Sequence, residues 1–132
     1  MIKYLTLHYE LTVNRRLAQE ELRKGPRLAI VGGENSGTNY ASRLMLNYAG
    51  KLNMRPIYVD LDLDNSIFLD GSIGAAAFQY KVTTSEDLFE KIEKICYIYG
   101  NRKIRTASFL RMARQLSKNI TSRLDLGTFY VM

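Results

Sequence analysis

Residues 28–40 read "LAIVGGENSGTNY". An apolar run leads into a turn framed by Gly32 and Gly37. "YASRLMLNYAGKL", residues 40–52, follows with helical spacing of its apolar positions. A strand, a glycine-framed turn and a helix form a natural anion cradle, because loop amides and a helix N-terminus together favour negative charge. The two glycines stand at the separation of a G-x-x-x-x-G-K-[ST] phosphate loop. The positions after Gly37 depart from it. Thr38 stands where the loop lysine belongs, and Asn39 stands where a hydroxyl would hold Mg²⁺. Loss of a preorganised charge costs about 3 kcal/mol of transition-state stabilisation, on the order of a hundredfold in rate. On the pattern alone the stretch also suits a plain strand-to-helix turn.

Outward from the loop, helices and strands alternate. Tyr4, Leu7, Leu11, Ala18 and Leu22 share one helical face, and Gly25-Pro26 would close that helix. "RLAIVG" is apolar without alternation, as a strand buried on both faces would be. In the helix after the loop, Ala41, Leu44, Met45, Tyr48 and Leu52 form the inward stripe. "RPIYVDLDLD", "SIGAAAF" and "KICYIYG" read as further strands, and "SEDLFEKIEK" as a short helix capped by Ser85. A long helix from about 104 to 124 carries Phe109, Met112, Ala113, Leu116, Ile120 and Leu124 inward, with Arg111, Arg114 and Lys118 on another face. A strand begins near "GTFYVM". The alternation predicts an α/β fold with a mainly parallel sheet.

Asp60, Asp62 and Asp64 follow the "RPIYV" strand. At the C-terminal edge of a parallel sheet they would face the same crevice as the loop. There Asp60, with Asn39, is a candidate Mg²⁺ ligand, and Asp62 could accept a proton from an attacking hydroxyl. Solvated loop carboxylates are the plain alternative.

Composition narrows the classes. The 132 residues suffice for one domain, residues 1–132. One cysteine, Cys96, and one histidine, His8, argue against a disulfide framework and a zinc site. Cys96 is expected in the core and His8 at the boundary. No window holds the ~18 apolar residues of a membrane span, and the N-terminal residues do not read as a secretory signal. An intracellular protein with no membrane partner is expected. The net charge of +6 favours acidic partners such as RNA. Between Asn101 and Arg123 there are basic residues and no acid, a stripe that could follow phosphates or simply face water.

The order of short runs also carries a resemblance. Gly25-Pro26-Arg27, Arg43, Leu46-Asn47-Tyr48-Ala49, Arg55-Pro56, Tyr58-Val59-Asp60-Leu61-Asp62 and Gly71-Ser72-Ile73-Gly74 resemble the P-loop domain of the eukaryotic polyribonucleotide 5′-hydroxyl-kinase family. "NITSRL", residues 119–124, matches a further family segment. The likeness implies a P-loop NTPase-like three-layer sandwich, incomplete relative to the family, whose N-terminal β-domain and C-terminal domain would be absent. It implies ATP and Mg²⁺ as cofactors, with Gly32, Gly33, Glu34, Asn35, Ser36, Gly37, Thr38, Asn39 and Tyr40 at the nucleotide. It implies Asp62 at the general-base position, a nuclear location, and partners in pre-mRNA 3′-end cleavage and tRNA splicing. Thr38, Asn39 and Tyr40 replace the family's lysine and two hydroxyl residues, which weighs against both cofactors and against kinase activity. Three readings follow: a non-catalytic binding or scaffold module, an ATP-binding RNA 5′-kinase of weak residual activity, and a basic RNA-binding fragment in which Arg111, Arg114 and Lys118 contact RNA.

Overall fold

The structure is a computed structural model and describes residues 2–78, 94–100, 106–124 and 130–131. Three helices, α1 (Ile2–Glu20), α2 (Thr38–Lys51) and α3 (Thr106–Leu124), surround a sheet of β1 (Pro56–Asp60), β2 (Ser72–Ala77), β3 (Lys94–Ile98) and β4 (Tyr130–Val131). The strand order is β3-β2-β1-β4. The helix proposed at Ser85 lies outside the described residues.

Period-two alternation divides the sheet residues between two layers. Tyr58 and Ala76 point to the α2 side and pack with Leu46, Phe78, Ile67 and Phe68. Ile57, Ile73 and Ala75 point the other way, onto Leu116 and Ile120 of α3. Phe109, Met112 and Ala113 extend that second cluster, as their helical spacing requires. Asn119 of α3 donates a side-chain hydrogen bond to the Tyr97 hydroxyl of β3. The expected three-layer α/β sandwich is therefore present, with α2 and α3 on opposite faces of the sheet.

The pairing of the strands differs from the expected one. β1 pairs parallel with β4, at Pro56 and Ile57, but β1–β2 and β2–β3 are antiparallel. Length and content of the connection explain the first reversal. Residues 61–71 form a loop with no helix, whereas a parallel return needs a crossover of a dozen or more residues, usually helical. The run "RLAIVG" is a second correction. Residues 27–31 are in no strand, and Val31 is 92% exposed. Arg27, Ala29, Ile30 and Val31 are all exposed, so the run does not lie buried between two strands.

The helices end differently from the simplest reading too. α1 stops before Gly25-Pro26, where the Arg23 amide donates to the Ala18 carbonyl at 2.9 Å around a left-handed Leu22. α2 closes in the same way, with Met54 donating to Ala49 at 3.0 Å around a left-handed Asn53. The buried face of α2 is Ala41, Ser42, Met45, Leu46 and Ala49. It is rotated from the expected stripe, and Leu52 is exposed. Leu11, Arg15 and Ala18 are the buried positions of α1, and His8 stacks on Tyr48 of α2 with ring centres 4.7 Å apart. Cys96 is exposed, not a core thiol, because its face of β3 is opposite to the one that α3 covers.

The packing of α3 yields a direct test. Leu116 is 1% exposed, so Leu116→Ala should lower the unfolding free energy by about 2–5 kcal/mol in urea melts. Leu110, 44% exposed on the same helix, should change it by no more than about 0.5 kcal/mol when replaced by alanine.

Candidate functional site

The loop and the strand end that follows β1 meet in one cleft of about 1170 Å³. Residues 28–39 form one wall, and Ser42 with residues 58–62, Asp64 and Asn65 form the rest. The expected juxtaposition of loop and aspartates is thus realised, although β1 and β2 are antiparallel. Tyr40 is the exception among the loop residues. It is 65% exposed and does not line the cleft.

Backbone conformation shapes the loop. The Ser36 amide donates to the Gly33 carbonyl at 3.2 Å, and Asn35 takes a left-handed φ of 57°. Gly37 caps α2 with φ 84° and ψ 19°, a conformation that costs a side-chain-bearing residue roughly 1–2 kcal/mol. A Cβ on Gly32 would lie 2.1 Å from the Ser36 hydroxyl and 2.7 Å from a Thr38 methyl, so a side chain there would force both of these side chains to turn aside. No side chain caps the N-terminus of α2, and its first turn holds no acid. Its leading amides therefore keep the donor capacity that suits an anion.

The opposite wall is organised by Asp60. This carboxylate is 5% exposed. Its Oδ1 accepts the Asp62 amide at 3.0 Å, and its Oδ2 accepts the Ile67 amide at 2.8 Å. Burial pushes its pKa up; the two backbone hydrogen bonds oppose this and the Asp62 charge adds to it. Both oxygens thus serve the chain turn, which weakens Asp60 as a metal ligand. Asp62 is exposed on the cleft rim, where its Oδ1 accepts the amides of Asp64 at 3.0 Å and Asn65 at 3.3 Å. Asn39, the other candidate ligand, is exposed on the facing wall. No group of three His, Cys, Asp or Glu side chains able to hold a metal occurs among the described residues.

Two further cleft residues were not expected at the site. Ser42 donates to the Thr38 carbonyl at 2.9 Å in the first turns of α2. Tyr58, 8% exposed, meets the Ser42 side chain, and its hydroxyl pKa is pushed up to about 12 by burial and by the Asp60 charge. Ser42 signals itself only by position, one turn beyond Thr38, whereas Tyr58 opens the Tyr58–Asp62 run that carries the family resemblance. Arg111, Arg114 and Lys118 lie elsewhere, exposed on α3 and outside the cleft lining.

The charge of the lining decides what fits. Among the described residues, Glu34, Asp60, Asp62 and Asp64 line the cleft and no Lys or Arg does. A like charge about 8 Å away costs roughly 0.5–2 kcal/mol at effective dielectric constants of 20–80. The loop backbone fits a phosphate, and the described side chains add no positive charge to it. Thr38 brings no cation, and the carboxylates raise the local negative charge.

The family model of the mRNA cleavage and polyadenylation factor CLP1 P-loop matches residues 32–128. The polyribonucleotide 5′-hydroxyl-kinase Clp1 of Homo sapiens is 34% identical over 125 residues, which cover 94% of this chain and 28% of that protein. Protein clpf-1 of Caenorhabditis briggsae is 34% identical over 108 residues, 76% of this chain and 25% of its own. A solved structure of the extended interface between Pcf11p and Clp1p contains a chain that matches with a TM-score of 0.78 at 22% identity, covering 99% of this chain and 35% of that one. That last likeness supports the fold. The chain spans little more than a quarter of the length of the curated relatives it matches.

The buried Asp60 makes a pH prediction. Its folded pKa lies above the ordinary 3.8, so over the window between them the folded state holds more of the proton. Stability is therefore lost as pH rises through that window. Urea midpoints of the wild type relative to Asp60→Asn should fall as the pH is raised from about 4 toward neutrality. Parallel pH courses for the two proteins would contradict it.

Proposed function

The chain belongs to the CLP1 P-loop family, and from that premise we propose that it is a kinase-like P-loop module with a retained loop backbone and lost transfer chemistry. Its role on this reading is non-catalytic binding or scaffolding among RNA-processing proteins. Pre-mRNA 3′-end cleavage and tRNA splicing are the settings proposed for it, in the nucleus. The observation that carries the reading is the lining of the cleft, which among the described residues has four carboxylates and no Lys or Arg around an uncapped helix N-terminus, with Thr38 at the lysine position. Phosphoryl transfer depends on positioned positive charge around the transferred group, with little covalent chemistry left to the protein. The loop amides can hold an anion, and Thr38 supplies no charge to stabilise the transition state.

A second reading is favoured by one residue. Asp62 is exposed on the same cleft as the loop, where a carboxylate could still accept a proton from a 5′-hydroxyl. That placement suits a nucleotide-binding kinase of residual activity.

Two measurements separate them. Calorimetric titration of the 132-residue chain with ATP and Mg²⁺ should give little or no heat. Thr38→Lys should strengthen binding about tenfold, equivalent to about 1.4 kcal/mol. With labelled ATP and a 5′-hydroxyl oligoribonucleotide, the wild type should transfer no more label than Asp62→Ala. Transfer above that control ends the non-catalytic reading.

A further inference from the structure

We propose that the outer face of α3 is a binding surface for the phosphate backbone of single-stranded RNA, separate from the loop cleft. The choice of RNA over other polyanions rests on the family reading above, whereas the location rests on α3 itself. Residues 94–124 contain eight Lys or Arg and no Asp or Glu, a segment charge of +8 against +6 for the whole chain. The remaining residues therefore sum to −2, so the positive charge of the protein is concentrated in this segment. Within it, α3 gives three of the cations a defined arrangement. Arg111, Arg114 and Lys118 are exposed and follow one another at helical spacing of three and four residues. They form a ridge over two turns, about 10 Å long.

Apart from Ala107 and Leu110, the rest of that face is polar. Ser108, Gln115 and Ser122 are exposed beside the three cations and add hydrogen-bonding groups without charge. Among the described residues no carboxylate forms an ion pair with Arg111, Arg114 or Lys118. The opposite face of α3 is fixed by Leu116 and Ile120 in the core and by the Asn119 to Tyr97 hydrogen bond. The cations are thus presented on a rigid element. A protein partner gains affinity from a cluster of buried aromatic or aliphatic anchors, and beside this ridge the described residues expose a single large aliphatic, Leu110. A phosphate backbone needs only cations and donors, which the ridge does offer. The layer arrangement keeps the surface apart from the acidic cleft, since α3 packs on the sheet face opposite to α2.

The test is fluorescence anisotropy of a labelled single-stranded oligouridylate with the 132-residue chain across a salt series. The wild type should bind with a steep salt dependence. Reversal of the ridge in Arg111→Glu, Arg114→Glu and Lys118→Glu together should weaken binding more than tenfold. Neutralisation of the same three positions by glutamine should make the slope of log K against log salt shallower by about 2, as expected for three lost phosphate contacts on a single strand. A control removes equal charge elsewhere, by Arg16→Glu, Lys51→Glu and Arg55→Glu at exposed positions of α1, α2 and the α2–β1 turn. It should retain most of the affinity. All variants are checked by circular dichroism melts, and the glutamine set decides if the reversed set fails to fold. Absence of wild-type binding, an unchanged glutamine variant, equal loss in the control, or stronger binding to polyglutamate than to RNA would each overturn the proposal. Kinase transfer in the assay above would defeat the functional reading and leave this surface standing.

Discussion

The Asp60 carboxylate is the constraint on which the rest of the architecture turns. It ends β1, is nearly fully buried, and accepts two backbone amides on either side of a tight loop. Without those acceptors the Asp62 and Ile67 amides would be left to find partners at a place where the chain folds back on itself. A buried polar group without a partner costs about 1–3 kcal/mol. By holding 62 and 67 together, Asp60 sends the chain back antiparallel into β2 and packs Ile67 and Phe68 on the α2 side of the sheet. The same act leaves Asp62 outside, on the cleft rim. One carboxylate thus accounts for the strand pairing, part of the core and the position of the residue nearest to chemistry.

Across the cleft, backbone and side chains point to different histories. Gly37 is required by its left-handed geometry, and Gly32 sits close against the Ser36 and Thr38 side chains, so the form of the loop is under physical constraint. Thr38 and Asn39 are under no such constraint, because a lysine or a serine would be compatible with the first turn of a helix. On the proposed reading the loop keeps its anion-holding shape and lacks the easily accommodated cation, and the four carboxylates beside it suit that separation.

Much of this was legible from the sequence. α2 and α3 announce themselves by apolar spacing, and β1, β2 and β3 by short apolar runs, because those features depend on local periodicity. The meeting of the loop with Asp60 and Asp62 was legible too, since both flank elements that stack on one sheet. What failed depends on partners far along the chain. "RLAIVG" has the composition of a buried strand, but composition supplies no free edge to pair with. The direction of β2 is set by a helix-free loop and the Asp60 clamp, which a pattern of alternating elements does not express. Ser42 carried no motif and Tyr58 stood in a matched run without a site role, because their place in the cleft arises only when α2 lies on β1.

The two charge distributions are best understood together. A basic protein with an acidic cleft presents opposite fields on different faces, and the layers assign them: carboxylates beside the N-terminus of α2, cations along α3 on the other face. On the reading proposed above, a polyanion would be drawn to α3 rather than to the cleft, with the discrimination greatest at low ionic strength, where screening is weakest. An enzyme acting on a polynucleotide end needs positive charge converging on the place where phosphates react. Among the described residues the cations gather on α3 and not at the loop, which is the arrangement that a strand-holding module needs.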